Sequence, residues 1–134
     1  MAVENYIIPL TGLLAASDLR TKQYYMMGLN SSGTVTPCLS GDPGFIGVLM
    51  NKPNTGEPCE LAAPGSIVPV SMDAAVAVGS LLICSADGQA AVAADGGYTV
   101  GLLLETSAAA AEICRCITWF PNSIADVSAF SICA

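Results

Sequence analysis

The chain has 134 residues, of which 53% are apolar and only 11% charged, and eleven acids against four bases give a net charge of −7. Four scattered cations (Arg20, Lys22, Lys52, Arg115) cannot build the basic stripe that displaces counterions from nucleic acid, and they are equally poor partners for an anionic membrane. So few charges leave the surface to be covered by small polar residues or by other protein, as charge-poor interface cores are.

At this length one domain is expected, with roughly two thirds of the unfolded surface buried. Residues 1–13 read as an N-terminal arm. Asn5-Tyr6-Ile7-Ile8-Pro9-Leu10 is extended by propensity, and Pro9 forbids a central strand. Such a segment is either the domain's first edge strand or an addition to a neighbour's sheet. Residues 14–120 then alternate short apolar runs with turn chemistry. Strands are predicted at 24–27, 34–36, 45–50, 57–61, 66–70, 81–84, 90–93, 98–104 and 113–120. Hairpin turns are predicted at Asn30-Ser31-Ser32-Gly33 and Ala86-Asp87-Gly88. Ala108 to Ala111 is too short to nucleate a helix and is expected to be a loop or single turn. Asp18 and Asp73, before weakly apolar stretches, could each cap a helical turn. Residues 121–134 are an apolar tail, read as a last strand or a second arm. No apolar run reaches the ~20 residues of a spanning helix, and the start lacks the pattern of a signal peptide.

The pattern repeats. Residues 14–61 align with 69–116 at an offset of about 55, through the placement of glycine, acid and apolar runs more than through identity. Gly33 answers Gly88, and Gly47 answers Gly101. The last two each open an apolar strand, where glycine marks a bulge or a close backbone approach. Asp18 answers Asp73, and Glu57 answers Glu112. Short strands with eight prolines and thirteen glycines predict an all-β domain, a β-sandwich or tulip- or barrel-like fold of antiparallel strands with little helix.

Catalytic chemistry has little to work with. Histidine is absent, which removes the commonest general base and metal ligand. Phosphate loops, nucleophile elbows and dinucleotide fingerprints are missing. Glu57/Glu60 and Glu105/Glu112 are the carboxylate pairs to consider, but Glu57 and Glu60 have opposite parity on a strand. Asp87 and Asp95 flank one hairpin, where Asp-Gly is first a turn signal. Six cysteines without a CxxC read as buried apolar fillers, or as late disulfides. No enzyme, cofactor or metal site is expected.

Gly33-Thr34-Val35, Gly47-Val48-Leu49, Thr55-Gly56-Glu57 and Pro64-Gly65-Ser66-Ile67-Val68 resemble tailed-phage capsid decoration, or cement, proteins. So do Val78-Gly79-Ser80-Leu81-Leu82, Asp87-Gly88, Val100-Gly101-Leu102-Leu103-Leu104-Glu105 and Glu112-Ile113. The resemblance covers roughly residues 28–118. It implies a β-rich structural protein made in the host cytoplasm, bound to the outer surface of the virion head. There it would stabilise the shell by clamping neighbouring major capsid proteins, typically as a homotrimer, with a dimer as the alternative. It would also place the capsid contact on the N-terminal segment, Asn5, Tyr6, Ile7, Ile8, Pro9 and Leu10 among it. Trp119, Phe120 and Phe130 are the candidates for oligomer or tail contacts. The alternative expectation is a carbohydrate- or surface-binding β module of a phage fibre or tail component, stacking sugars on Trp119, Tyr24, Tyr25 or Tyr98.

Overall fold

The structure, a computed structural model, describes residues 6–39, 44–94 and 97–123. They contain ten strands and no helix: β1 (Pro9–Leu14), β2 (Met26–Leu29), β3 (Val35–Pro37), β4 (Phe45–Leu49), β5 (Pro58–Ala62), β6 (Ile67–Ser71), β7 (Leu81–Cys84), β8 (Ala90–Val92), β9 (Tyr98–Leu103) and β10 (Ile113–Ser123). They form two five-stranded antiparallel sheets, ordered β1-β5-β4-β2-β3 and β6-β10-β9-β7-β8. Adding five to each strand of the first order gives the second. The predicted β-sandwich is therefore two copies of one unit, one sheet each.

The repeat extends to single hydrogen bonds. Ala15 N donates to Glu57 O and Met72 N to Glu112 O; Ala16 N donates to Val35 O and Asp73 N to Ala90 O. Asn30 N donates to Thr34 O across the first hairpin, and Ser85 N to Gln89 O across the second. The side chains repeat too. The Glu57 carboxylate accepts from Asn54 N, and that of Glu112 from Ala108 N and Ala109 N, so each acid closes the loop before it. These bonds correct one expectation. The partner of Asp73 is Ala16, not Asp18, because nine residues separate Ala16 from Met26 and only seven separate Asp73 from Leu81, so the loop into β2 is two residues longer than the loop into β7. No helical turn follows either acid. Asp18 instead accepts from the Arg20 backbone N and guanidinium.

Gly47 and Gly101 hold equivalent places for the same reason. A Cβ on either would stand 2.6 Å from a carbonyl oxygen of the neighbouring strand, Ala62 O or Ile117 O. Gly33 and Gly88 supply the left-handed residue of their hairpins, at φ 75° and 93°.

Strand alternation decides the layers. Met26, Val48 and Ala62 are cross-strand partners on one face of the first sheet. They pack between the sheets against Val68, Val70, Leu82, Leu103, Cys114 and Cys116. The other face of the first sheet carries a second core of Met27, Val35, Leu49, Cys59 and Leu61. Ala15 and Leu19 cap it, with half-buried Leu10, Leu13, Tyr25 and Ile46 around them. Cys59, Cys114 and Cys116 are buried thiols, as fillers should be. Burial pushes the Cys116 thiol up to about 12.

Candidate functional site

The N-terminal segment is shaped by the two sheet edges it joins. Tyr6 pairs with Ile67 on the β6 edge, Tyr6 N donating to Ile67 O at 3.0 Å and Ile67 N to Tyr6 O at 2.6 Å. Three residues later Pro9 begins β1 on the edge of the other sheet, as its missing N–H requires. The crossing is clasped by Ser66, which is fully buried. Its Oγ accepts from Ile8 N at 2.9 Å and donates to Ala63 O at 2.6 Å, while Ala63 N donates to Ile8 O. The backbone of residues 6–14 is thus paired largely within its own chain, and what it offers outward is side chains.

Those side chains are apolar. Tyr6 is 64% exposed, Ile7 and Ile8 are exposed beside it, and Leu10 is half-buried on the second core. Tyr6 also starts a row. Ile67, Ile117, Leu102 and Leu81 follow as successive cross-strand partners, on the outer face of the second sheet. The opposite face of the same strands holds Val68, Cys116 and Leu103 in the core. Arg115, next outward on β10, pairs with Glu105 at 3.5 Å. Beyond it Trp119 is half-buried, its Nε1 donating to Thr99 O, and Phe120 is 74% exposed. Asn5 and Phe130 lie outside the described residues.

Three of the four glutamates considered for chemistry are engaged locally. Glu57 and Glu112 hold loop amides, and Glu105 holds Arg115. Two acids are drawn below the ordinary carboxylate range. Asp18 is held at about 2 by the hydrogen bonds and charge of Arg20. Burial raises Asp87, but hydrogen bonds from Ser85 and Gln89, with the charge of Lys22, outweigh it. Among the described residues no three of His, Cys, Asp and Glu come together. The aromatic residues share no single face. Tyr24 and Tyr25 precede β2, with Lys22 4.8 Å above the Tyr25 ring, whereas Tyr98 and Trp119 belong to β9 and β10. A shallow depression of about 330 Å³ is lined by Arg20, Thr21, Gln23, Tyr24, Lys52 and Ile113, and Arg20 there is already bound to Asp18.

The sequence singles out Tyr6–Leu10 but not the outward-facing Ile117 and Leu102 of β10 and β9. Residues 100–104 are a continuous apolar run, the pattern of a strand covered on both faces, so alternation does not mark the outward residues.

No family model matches this sequence, and no curated protein is similar to it. Among solved structures, the fold is that of a phage protein. The N base of the head fiber gp8.5 of bacteriophage phi29 superposes with a TM-score of 0.65 over 87% of this chain and 97% of that one. The two sequences are 14% identical, so the likeness is one of fold.

Proposed function

We propose that this chain is a structural component of a phage virion, seated on the outer surface of the head, where it bridges neighbouring major capsid proteins and stabilises the shell. The observation that carries the reading is the near-complete overlap with the head fiber base, a domain named for its place on a phage head. Two features support it. Tyr6, Ile7 and Ile8 form an exposed apolar segment held to two sheet edges, so it can dock without first ordering itself. Three of the four glutamates weighed for chemistry are tied down, Glu57 and Glu112 to loop amides and Glu105 to Arg115. On this reading the protein works by burial alone, each copy adding a modest contact that the symmetry of the shell multiplies.

The same overlap favours a second reading, in which the domain anchors to the head without clamping it, as the base of a fibre. One experiment separates the two. Purified chain is added to heads lacking it, and both cosedimentation and the temperature of DNA release are measured. Binding with a higher release temperature supports the clamp, and binding with an unchanged temperature supports the anchor. No binding would remove both. Tyr6→Ser with Ile7→Ser is expected to weaken binding at least about tenfold, with the melting curve little changed.

A further inference from the structure

Each unit serves as a control for the other. Leu19 N donates to Pro53 O and Val76 N to Ser107 O; Tyr24 N donates to Leu49 O and Gly79 N to Leu103 O. Leu19 therefore answers Val76, and Tyr24 answers Gly79. Arg20, Thr21, Lys22 and Gln23 separate the first pair, and only Ala77 and Val78 the second, so the two extra residues of the loop into β2 fall in this short stretch. A second difference lies beside it. Asn51 Oδ1 accepts from Glu60 N as Glu105 Oε2 accepts from Arg115 N, so the residues that follow, Lys52 and Thr106, are equivalent. Where the second unit has Ala77, Val78, Gly79 and Thr106, the first therefore has a longer, polar set that holds three of the chain's four cations, Arg20, Lys22 and Lys52.

Most of that set meets in one place. Arg20, Thr21, Gln23, Tyr24 and Lys52 line the depression of about 330 Å³, with Ile113 of the second unit completing it. Tyr24 is held at φ 69°, a conformation that glycine adopts freely and a side chain resists. The scaffold needs only the glycine that the second unit uses, so the tyrosine ring is kept against the backbone's preference. Gln23 Nε2 donates to Met50 O, which fixes its amide. Arg20 and Asp18 are locked by two side-chain hydrogen bonds and present donors and acceptors side by side. Lys52 is exposed and makes no ion pair among the described residues.

We infer that this depression binds an acidic sugar, with Tyr24 and Ile113 against the sugar ring, Thr21, Gln23 and the Arg20–Asp18 pair meeting its hydroxyls, and Lys52 meeting its carboxylate. The volume lies at the small end of ligand pockets, enough for one ring. An extended peptide would need a sheet edge to pair with. Here the N–H groups of Lys22, Tyr24 and Tyr25 are already bound within the chain, and Tyr24 O accepts from Ser71 N, so side chains are what the site offers. Nothing in this depends on attachment to a head.

The test titrates the isotopically labelled full chain with the methyl glycosides of glucuronic and galacturonic acid, and with methyl glucoside and methyl galactoside as their neutral counterparts. At least one acidic glycoside should shift the amide resonances of Arg20 to Tyr24 and Lys52 with a Kd of about 1 mM, its neutral counterpart binding at least about tenfold more weakly. Lys52→Thr should abolish that preference, and Tyr24→Gly should weaken both sugars about tenfold. Each substitution installs the second unit's residue, so both variants should melt within about 4 °C of wild type. No shift with either acidic glycoside at about 20 mM, equal binding of the neutral sugars, or shifts confined to other residues would overturn the inference. An acetylated Asp-Glu dipeptide that shifts the same amides more strongly would overturn it too, assigning the depression to a protein carboxylate. A Tyr24→Gly variant that melts far below wild type would show that the tyrosine serves the fold, and would overturn its place in the site.

Discussion

Substituting alanine at Gly47 and at Gly101 tests whether the two units share one construction. The added Cβ would stand 2.6 Å from Ala62 O or Ile117 O. An ordinary C···O contact is ~3.3 Å, so the strands must part by about 0.7 Å. That stretches ladder bonds of ~2.9 Å to about 3.5 Å, beyond useful length. Losing one or two bonds at ~1 kcal/mol each, with overpacking of 1–3 kcal/mol, gives a cost of about 2–4 kcal/mol. At this size ~1 kcal/mol moves Tm by about 4 °C, so a fall of roughly 8–16 °C is expected for each variant. Gly56→Ala is the control. Gly56 has φ 76° with open space around its Cβ position, so it tests the backbone conformation alone, at about 1 kcal/mol. Thermal and urea unfolding followed by circular dichroism read all three. If Gly47→Ala or Gly101→Ala melts within about 2 °C of the control, close approach is not why glycine stands there.

Ala111, at φ 65°, occupies the place of Gly56 in the second unit. Ala111→Gly should therefore stabilise the protein by about 0.5–1 kcal/mol in urea titration, and a loss of stability would contradict that strain. The Asp18 carboxyl, shifted from 3.8 to about 2 in the folded state, contributes stability above pH 4 that is lost as pH falls toward 2. Side-chain carbon chemical shifts should titrate near 2 in the wild type and return toward 3.8 in Arg20→Ala; a wild-type midpoint near 3.8 would mean that the pair does not form in solution. Ser66→Ala strands Ile8 N beside a buried site, at about 1–2 kcal/mol. Hydrogen exchange at Ile8 and Ala63 should speed up selectively, and unchanged protection at both would show that Ser66 does not clasp the segment.

Much of the fold was legible because its punctuation is chemical. Asn30-Ser31-Ser32-Gly33 and Ala86-Asp87-Gly88 are hairpin turns by residue type, and Pro9 lies on an edge because it has no N–H to give a second neighbour. Gly47 and Gly101 could be matched because close approach admits only glycine. Other details were hidden for equally local reasons. Tyr24 delays the start of the predicted strand, so that β2 begins at Met26, since it is held at φ 69°, where the second unit uses Gly79 at φ 82°. The longer loop between Ala16 and Met26 misaligned Asp18 with Asp73. The outward, half-buried Leu102 and Ile117 could not be separated from the core by pattern, because strands 81–84 and 100–103 are apolar on both faces. Which face is covered within the chain depends on how the units stack, and alternation within one strand carries no record of that.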